Sequence, residues 1–181
     1  PVPFVLEPFG TSADALGLHL YGDLTRQGDH LRITYQLTGN LASLVRPPQA
    51  AAGPLRCDGL WEHTCFELFL AAVGAEPYWE VNLAPNGDWN VYALSGYREN
   101  LRPVVEISSL PYLLRRSDTE LQMEFQLDLS RWISPTQPLE VSLTAVLDHP
   151  GYGLSYRAWQ HSGEQPDFHR RDSFQRLHPL P

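Results

Sequence analysis

The chain has 181 residues, a formal net charge of −8 at pH 7, 16 prolines and 13 glycines. The negative charge excludes the basic surface that binds nucleic acid or an anionic membrane, so we expect neither partner. Proline and glycine at this abundance favour short strands and many turns over a helical protein.

The length predicts one domain over residues 1–181. The two cysteines, Cys57 and Cys65, are too few for a disulfide framework. No stretch approaches the roughly 18 apolar residues that a membrane span requires. The first ten residues, PVPFVLEPFG, lack the basic and apolar regions of a signal peptide. We therefore expect a bacterial protein of the cytoplasm.

Strand-like segments recur along the chain, with turn signals between them. This rhythm predicts an all-β fold, either a sandwich or a barrel. We expect a long loop over 46–59, a single helical turn over 130–135 and an irregular tail after residue 160. The predicted strands are 2–8, 16–24, 29–38, 62–73, 77–84, 88–95, 103–108, 111–117, 120–128, 139–148 and 153–159.

The segment YWEVNLAPNGDWNVYAL, residues 78–94, predicts a β-hairpin. A two-residue loop at Asn86-Gly87 would mix polar and apolar side chains on each face. A three-residue loop with Gly87 in the left-handed conformation instead pairs Leu83 with Trp89 and separates the two kinds. One face then carries Trp79, Val81, Leu83, Trp89, Val91 and Ala93, and the other carries Tyr78, Glu80, Asn82, Asn90, Tyr92 and Leu94.

The segment LWEHTCFELFL, residues 60–70, divides in the same way. Its apolar face carries Thr64, Phe66, Leu68 and Leu70, and its other face carries His63, Cys65, Glu67 and Phe69, with Trp61 in line. If this strand pairs with 78–84, Glu67 and His63 lie beside Glu80 and Asn82. Carboxylates and amides hydrogen-bond the hydroxyls of a sugar, and aromatic rings cover its C–H face.

These two segments, together with YRAWQHSGEQPDFHRRDSF at 156–174, resemble the DOMON-like superfamily, and in particular its stand-alone bacterial members. That superfamily includes the family 9 carbohydrate-binding modules. The resemblance covers residues 10–175. It implies an antiparallel β-sandwich of about ten strands, with a cleft on one sheet that holds a sugar or haem.

The resemblance also implies which residues hold the ligand. An aromatic residue and a carboxylate six positions later grip the sugar, and these are Trp61 and Glu67. A second aromatic residue corresponds to Trp159, and Arg98 stands for the arginine that contacts the ligand. Together with the polar face of the hairpin, the predicted ligand-binding residues are Trp61, Glu67, Glu80, Asn82, Tyr92, Arg98 and Trp159.

Three alternatives to this site are open. Haem-binding members of the superfamily use Met with His or Lys, but the chain has no Lys. Its single methionine, Met123, alternates with apolar residues in the manner of a core strand, so haem would need His63 or His161. A second alternative is an interaction domain without a small ligand. A metal would need His161, Asp167 and His169, although Asp and His in PDFH could instead lock the tail over the sheet.

Catalysis is not expected. His63 and Cys65 stand two apart on one strand, which rarely makes a Cys-His nucleophile. Glu67 and Glu80 are carboxylates of the type that hydrolyses glycosides, but nothing in the sequence assigns an acid and a base. We therefore predict a non-catalytic module, without a cofactor, that binds a carbohydrate or another small polar ligand. An arginine paired to Glu67 inside the sandwich, with no cleft beside it, would contradict this prediction.

Overall fold

Two antiparallel β-sheets pack face to face, in a computed structural model that describes residues 1–10, 17–44 and 53–178. The predicted antiparallel β-sandwich is therefore confirmed. The first part of the predicted loop 46–59 lies outside the described residues. The strands are β1 (Val2–Val5), β2 (Glu7–Pro8), β3 (His19–Gln27), β4 (His30–Thr38), β5 (Cys65–Ala72), β6 (Tyr78–Leu83), β7 (Trp89–Leu94), β8 (Arg102–Pro103), β9 (Tyr112–Arg116), β10 (Glu120–Asp128), β11 (Leu139–His149), β12 (Gly153–Ala158) and β13 (Gln175–Leu177).

The two sheets differ in size. The five-stranded sheet has the order β1-β3-β4-β10-β9, and the eight-stranded sheet has the order β2-β12-β11-β5-β6-β7-β8 with β13 paired to β11. The core lies between them, because alternate residues of each strand point inward. Met123 on β10 is one of these inward residues and is buried in the core, as its alternation with apolar residues predicts.

The hairpin of β6 and β7 has the predicted register. Leu83 lies opposite Trp89, and Gly87 has a φ of +92°, the left-handed conformation that the three-residue loop requires. The Gly87 N–H donates to the Ala84 carbonyl at 2.9 Å, and the Ala84 N–H donates to the Asp88 carbonyl at 2.8 Å. This register directs the apolar side chains of the hairpin into the core and the mixed face outward.

The predicted strand 2–8 is two strands in two sheets. β1 belongs to the five-stranded sheet and β2 to the eight-stranded sheet, so the chain crosses between the sheets at the buried Leu6. The Leu6 N–H donates to the Leu20 carbonyl at 2.9 Å. The predicted turn at 130–135 is confirmed in part, since the Ile133 N–H donates to the Leu129 carbonyl at 3.0 Å. The described part of the chain contains no helix of the length and apolarity that crossing a membrane takes.

The prediction of a strand over 103–108 is wrong beyond β8. The Arg56 guanidinium takes the backbone carbonyls that a strand would present to a neighbour, donating to those of Val104 and Ile107, each at 2.6 Å. Residues 104–111 have no strand structure, and the segment is held to the sheet by the Arg56 side chain and by the Val104 N–H, which donates to the Val91 carbonyl at 2.8 Å. The periodicity of a sequence does not reveal a partner that lies some 50 positions away.

We expect Arg56→Lys to lower the free energy of unfolding by about 2 kcal/mol, because an ammonium cannot reproduce the forked hydrogen bonds. The guanidinium also donates to Asn90 Oδ1 at 2.9 Å and covers the Trp89 ring at 4.8 Å. Urea denaturation measures the change. The exposed Arg115 provides the control, and its replacement by Lys should cost less than about 0.5 kcal/mol. Equal losses in the two variants would contradict this role of Arg56.

Candidate functional site

The outer face of the eight-stranded sheet carries a second apolar cluster, apart from the main core. The strands at its centre, β5, β6 and β7, are therefore buried on both faces, although one face of a sandwich sheet usually meets solvent. The C-terminal segment after β12 packs on this face and covers it. The cluster consists of Phe69, Ala71, Tyr78, Tyr92, Leu94 and Phe174, with Phe168 packed against it.

A cavity of about 800 Å³ opens on the same outer face, beside this cluster. The sheet forms its floor, and the C-terminal segment, the loop after β7 and the turn before β5 form its walls. Aromatic and charged side chains line it together. The lining residues are Trp61, Glu62, Glu67, Phe69, Glu80, Leu94, Arg98, Leu101, Val146, Leu154, Tyr156, Gln165, Pro166, Phe168 and His169.

Two buried carboxylates lie on the floor of the cavity. Glu67 faces Asn82 across β5 and β6, and Glu80 faces Phe69, so the two glutamates are diagonal neighbours on one face. Glu67 is 2% exposed and Glu80 is 4% exposed. The Thr144 hydroxyl donates to Glu67 Oε2 at 3.1 Å. The Asn82 amide, turned so that its nitrogen faces acceptors, donates to Glu80 Oε1 at 3.2 Å.

Neither carboxylate forms an ion pair with any residue that the structure describes. Burial, reinforced by the charge of Glu80, raises the pKa of Glu67 well above its ordinary value. Burial also raises the pKa of Glu80 to about 7, against the opposing effect of the Asn82 hydrogen bond. The two glutamates therefore titrate as a pair that holds a proton near neutral pH.

Trp61 stands at the mouth of the cavity, on a 3-10 turn over Leu60–Glu62. The strand that was predicted to begin at residue 62 is β5, which begins at Cys65, so Trp61 lies before the strand. The indole is 37% exposed and lies edge-on to the Tyr92 ring, with 5.8 Å between centroids. The Tyr92 hydroxyl donates to Asp58 Oδ1 at 2.7 Å. Tyr92 therefore supports Trp61 from behind and does not line the cavity.

The PDFH segment locks the C-terminal wall in place, which is one of the two alternatives that the sequence left open. Asp167 accepts hydrogen bonds from the Tyr97 hydroxyl and from Arg98 Nη2, the latter at 2.8 Å. These bonds lower the pKa of Asp167 although burial opposes them. His169 Nδ1 lies 2.7 Å from the Tyr78 hydroxyl, and burial lowers the pKa of His169 to about 4, so the ring is neutral.

The structure brings four of the seven predicted ligand-binding residues into the cavity lining. These are Trp61, Glu67, Glu80 and Arg98. Asn82 and Tyr92 are buried directly behind them. Glu67 has no arginine partner in the described part of the chain and borders a cavity, so the arrangement that would contradict a ligand site is not found.

Trp159 does not share the cavity with Trp61, contrary to prediction. Successive residues of an extended chain point to opposite faces of the sheet. Tyr156 lines the cavity, and Trp159, three positions later, points to the other face. Its ring packs on the main core, with 6.0 Å between its centroid and that of Phe4. The aromatic residue that β12 contributes to the cavity is Tyr156.

The remaining candidates have structural partners elsewhere. His63 was predicted beside Glu80, but its Nδ1 lies 2.9 Å from Asp148 Oδ2. His161 Nε2 is 2.7 Å from the Glu7 carbonyl, away from His169 and the cavity lining. Among the residues described, no group of three or more His, Cys, Asp or Glu side chains is arranged to hold a metal. The Cys65 thiol, which is two positions from His63 in the sequence, is fully buried.

Sequence reasoning missed the apolar lining of the cavity. Phe69 was predicted on the correct face of its strand but not as part of the site. Leu154 and Tyr156 are two positions apart on β12, so both point to the cavity face. Phe168 lies inside the PDFH segment, which was considered only for metal binding and for locking the tail. The alternation of apolar residues along β12, which lies two strands from β5 in the sheet, is the signal in the sequence that indicates this lining.

No protein-family model and no curated protein sequence matches the chain. Among solved structures, the chain is similar to a candidate carbohydrate-binding protein of Bacteroides uniformis, at 14% identity and a TM-score of 0.75. That match covers 97% of this chain and 85% of the other. A family 9 carbohydrate-binding module of Caldicellulosiruptor kristjanssonii, in complex with cellotriose, matches at 9% identity and a TM-score of 0.56, over 97% and 80% of the two chains.

The chain has the fold of these proteins. At such low identities the likeness concerns the architecture alone, and it agrees with the carbohydrate-binding-module-like sandwich that the sequence predicts. Membership of the DOMON-like superfamily stays a prediction.

The carboxylate pair predicts a pH-dependent stability. Because the pKa of Glu80 is raised on folding, the folded protein binds a proton that the unfolded chain has already released near pH 5. The resulting contribution to stability is complete below the unfolded pKa and is lost as the pH rises through about 7. Glu80→Gln has no proton to lose at this position and also removes the Glu80 charge that helps to raise the pKa of Glu67. The variant should therefore gain about 2 kcal/mol of stability relative to the unmodified protein between about pH 5 and pH 8.

Urea denaturation of both proteins at each pH measures this difference. Two buried histidines act in the opposite direction, because burial lowers the pKa values of His149 and His169 and makes stability rise with pH. Their contribution is common to both proteins and cancels in the comparison. Glu106→Gln, at an exposed position, is the matched control and should leave the pH profile unchanged. An identical pH profile in Glu80→Gln would contradict the raised pKa.

Proposed function

We propose that the protein binds a carbohydrate in this cavity without acting on it chemically. The observation that carries the proposal is the pair of buried carboxylates, Glu67 and Glu80, on the floor of a cavity whose walls include Trp61 and Tyr156. A volume of about 800 Å³ lies within the range of small-molecule sites. The fold shared with carbohydrate-binding proteins supports the same function.

The chemistry of the lining suits a sugar ring. Carboxylates accept hydrogen bonds from hydroxyl groups, and the Arg98 guanidinium on the opposite wall donates to ring and hydroxyl oxygens. Aromatic side chains present apolar faces to the axial C–H groups of the ring. Gln165 adds an amide that both donates and accepts, so the lining contains partners for each kind of polar group on a sugar.

The placement of the carboxylates favours binding over hydrolysis. Glycoside hydrolysis takes two carboxyl groups that flank the scissile bond from opposite sides. Glu67 and Glu80 stand on adjacent strands of one floor, so both approach a bound ring from the same side. Their arrangement provides hydrogen bonds and charge, but no acid and base across a bond.

Trp61→Ala should weaken sugar binding by about tenfold to a hundredfold, since it removes an aromatic plane that lines the cavity. Isothermal titration with glucose, cellotriose and other soluble oligosaccharides measures the affinity. Tyr21→Ala is the matched control, because Tyr21 is 38% exposed and lies on the five-stranded sheet. It should bind with unchanged affinity.

A protein that binds no saccharide in this panel, or that binds equally well after Trp61→Ala, would contradict the proposal. Thermal denaturation of both variants distinguishes lost binding from lost folding. Trp61 lies on a turn and is well exposed, so its removal should change the melting temperature by only a few degrees.

A further inference from the structure

The cavity lining carries more acidic than basic side chains, and the Arg98 charge only partly offsets the effect of burial on Glu80. Glu62, Glu67 and Glu80 all line the cavity, and Arg98 is the one Lys or Arg residue among the described lining. Arg98 is already paired, with Nη2 2.8 Å from Asp167 Oδ1 and its guanidinium over the Tyr97 ring at 5.7 Å. Burying two carboxylates without a cation is costly, because a carboxylate loses its hydration when it leaves water.

A neutral sugar would compensate only a small part of the desolvation free energy of the two carboxylates. One carboxylate is enough to accept hydrogen bonds from two neighbouring hydroxyls, so the second would gain little from such a ligand. Glu67 already accepts hydrogen bonds from Thr144 and from the Cys65 thiol, and Glu80 accepts one from Asn82. A carboxylate has about four acceptor positions, so both retain capacity for a donor in the cavity. A group with several N–H donors and a positive charge fits between them.

The aromatic lining points in the same direction. Phe69 lies opposite Glu80 across β5 and β6 and therefore stands beside the pair on the floor. Trp61, Tyr156 and Phe168 surround it on the walls. Aromatic faces attract an ammonium group through the ring quadrupole, and this attraction is larger when the cation is desolvated. A hydrated divalent metal would gain little from such walls.

We propose that the preferred ligand of the cavity is an amino sugar, whose ammonium group lies between Glu67 and Glu80 while its ring packs against Trp61. This inference rests on the proposed carbohydrate binding and adds the chemical class of the ligand. The raised pKa values of both glutamates agree with this inference, because a bound proton reduces the buried negative charge of the two carboxylates.

An ammonium ligand should therefore displace that proton. The neighbouring groups whose pKa values are shifted do not change protonation state near pH 7. Burial raises the pKa values of Cys65, Tyr78 and Tyr92, which stay neutral. His169 is neutral, and the charges of Arg98 and Asp167 are fixed by their mutual hydrogen bond. Glu62 lies on the turn above the floor. Proton release on binding then reports on Glu67 and Glu80.

The experiment is isothermal titration at pH 7 with a matched set of ligands: glucosamine, N-acetylglucosamine, glucose and cyclohexylamine. Glucosamine should bind at least about tenfold tighter than glucose or N-acetylglucosamine, with release of up to one proton, measured from buffers of different ionisation enthalpy. Glu80→Gln and Glu67→Gln should each reduce the ratio of the glucosamine and glucose affinities to near one. Glu106→Gln should leave that ratio unchanged.

The outcomes separate this inference from the proposed function. Equal affinity for glucose and glucosamine overturns the amino-sugar inference and leaves carbohydrate binding in place. Failure of all three sugars to bind overturns the amino-sugar inference, and carbohydrate binding is overturned only if the oligosaccharides of the earlier titration also fail to bind. Cyclohexylamine binding as tight as that of glucosamine overturns the amino sugar in favour of a general amine site. Calcium that competes with glucosamine, and loses its effect in Glu80→Gln, overturns it in favour of a metal. Thermal denaturation confirms that each isosteric variant is folded.

Discussion

The burial of Glu67 and Glu80 on the outer face of the eight-stranded sheet is the constraint on which the site depends. An outer sheet face usually meets water, where two glutamates would be ordinary surface residues. Here the C-terminal segment covers that face, removes the carboxylates from bulk solvent and leaves a cavity above them. The low exposure of the two carboxylates strengthens the polar contacts that a ligand makes with the floor.

The covering segment is held by polar contacts at one position and by apolar contacts at another. Asp167 binds the loop after β7 through Tyr97 and Arg98, and Phe174 packs into the outer cluster. Arg98 adopts a left-handed backbone conformation, with a φ of +53°, which is uncommon for a residue with a side chain. The conformation directs its N–H to the Tyr78 hydroxyl at 3.1 Å. One loop therefore fixes a wall of the cavity and contributes a lining residue.

Local alternation in the sequence was sufficient to predict an all-β fold, the hairpin register and the faces of β5, β6 and β7, because each depends on residues within one or two strands. The choice of a sandwich over a barrel came from the resemblance. Local alternation failed where the partner is distant. Arg56 donates hydrogen bonds to the carbonyls of a segment that has the periodicity of a strand. The single strand predicted over 2–8 is divided into β1 and β2, which belong to different sheets. Trp159 was predicted as a ligand-binding residue from the resemblance, but it packs on the main core, and Tyr156 is the aromatic residue of β12 that faces the cavity.

The most direct measurement is the carboxyl carbon NMR titration of Glu67 and Glu80, assigned with the two Gln variants, in the free protein and with saturating sugar. Because burial raises both pKa values, we predict that both signals titrate well above the ordinary glutamate range, with Glu80 near 7, and that both shift when the sugar binds. Two carboxyl groups that titrate near 4.3, or that do not respond to a bound sugar, would contradict the assignment of this cavity as the ligand site.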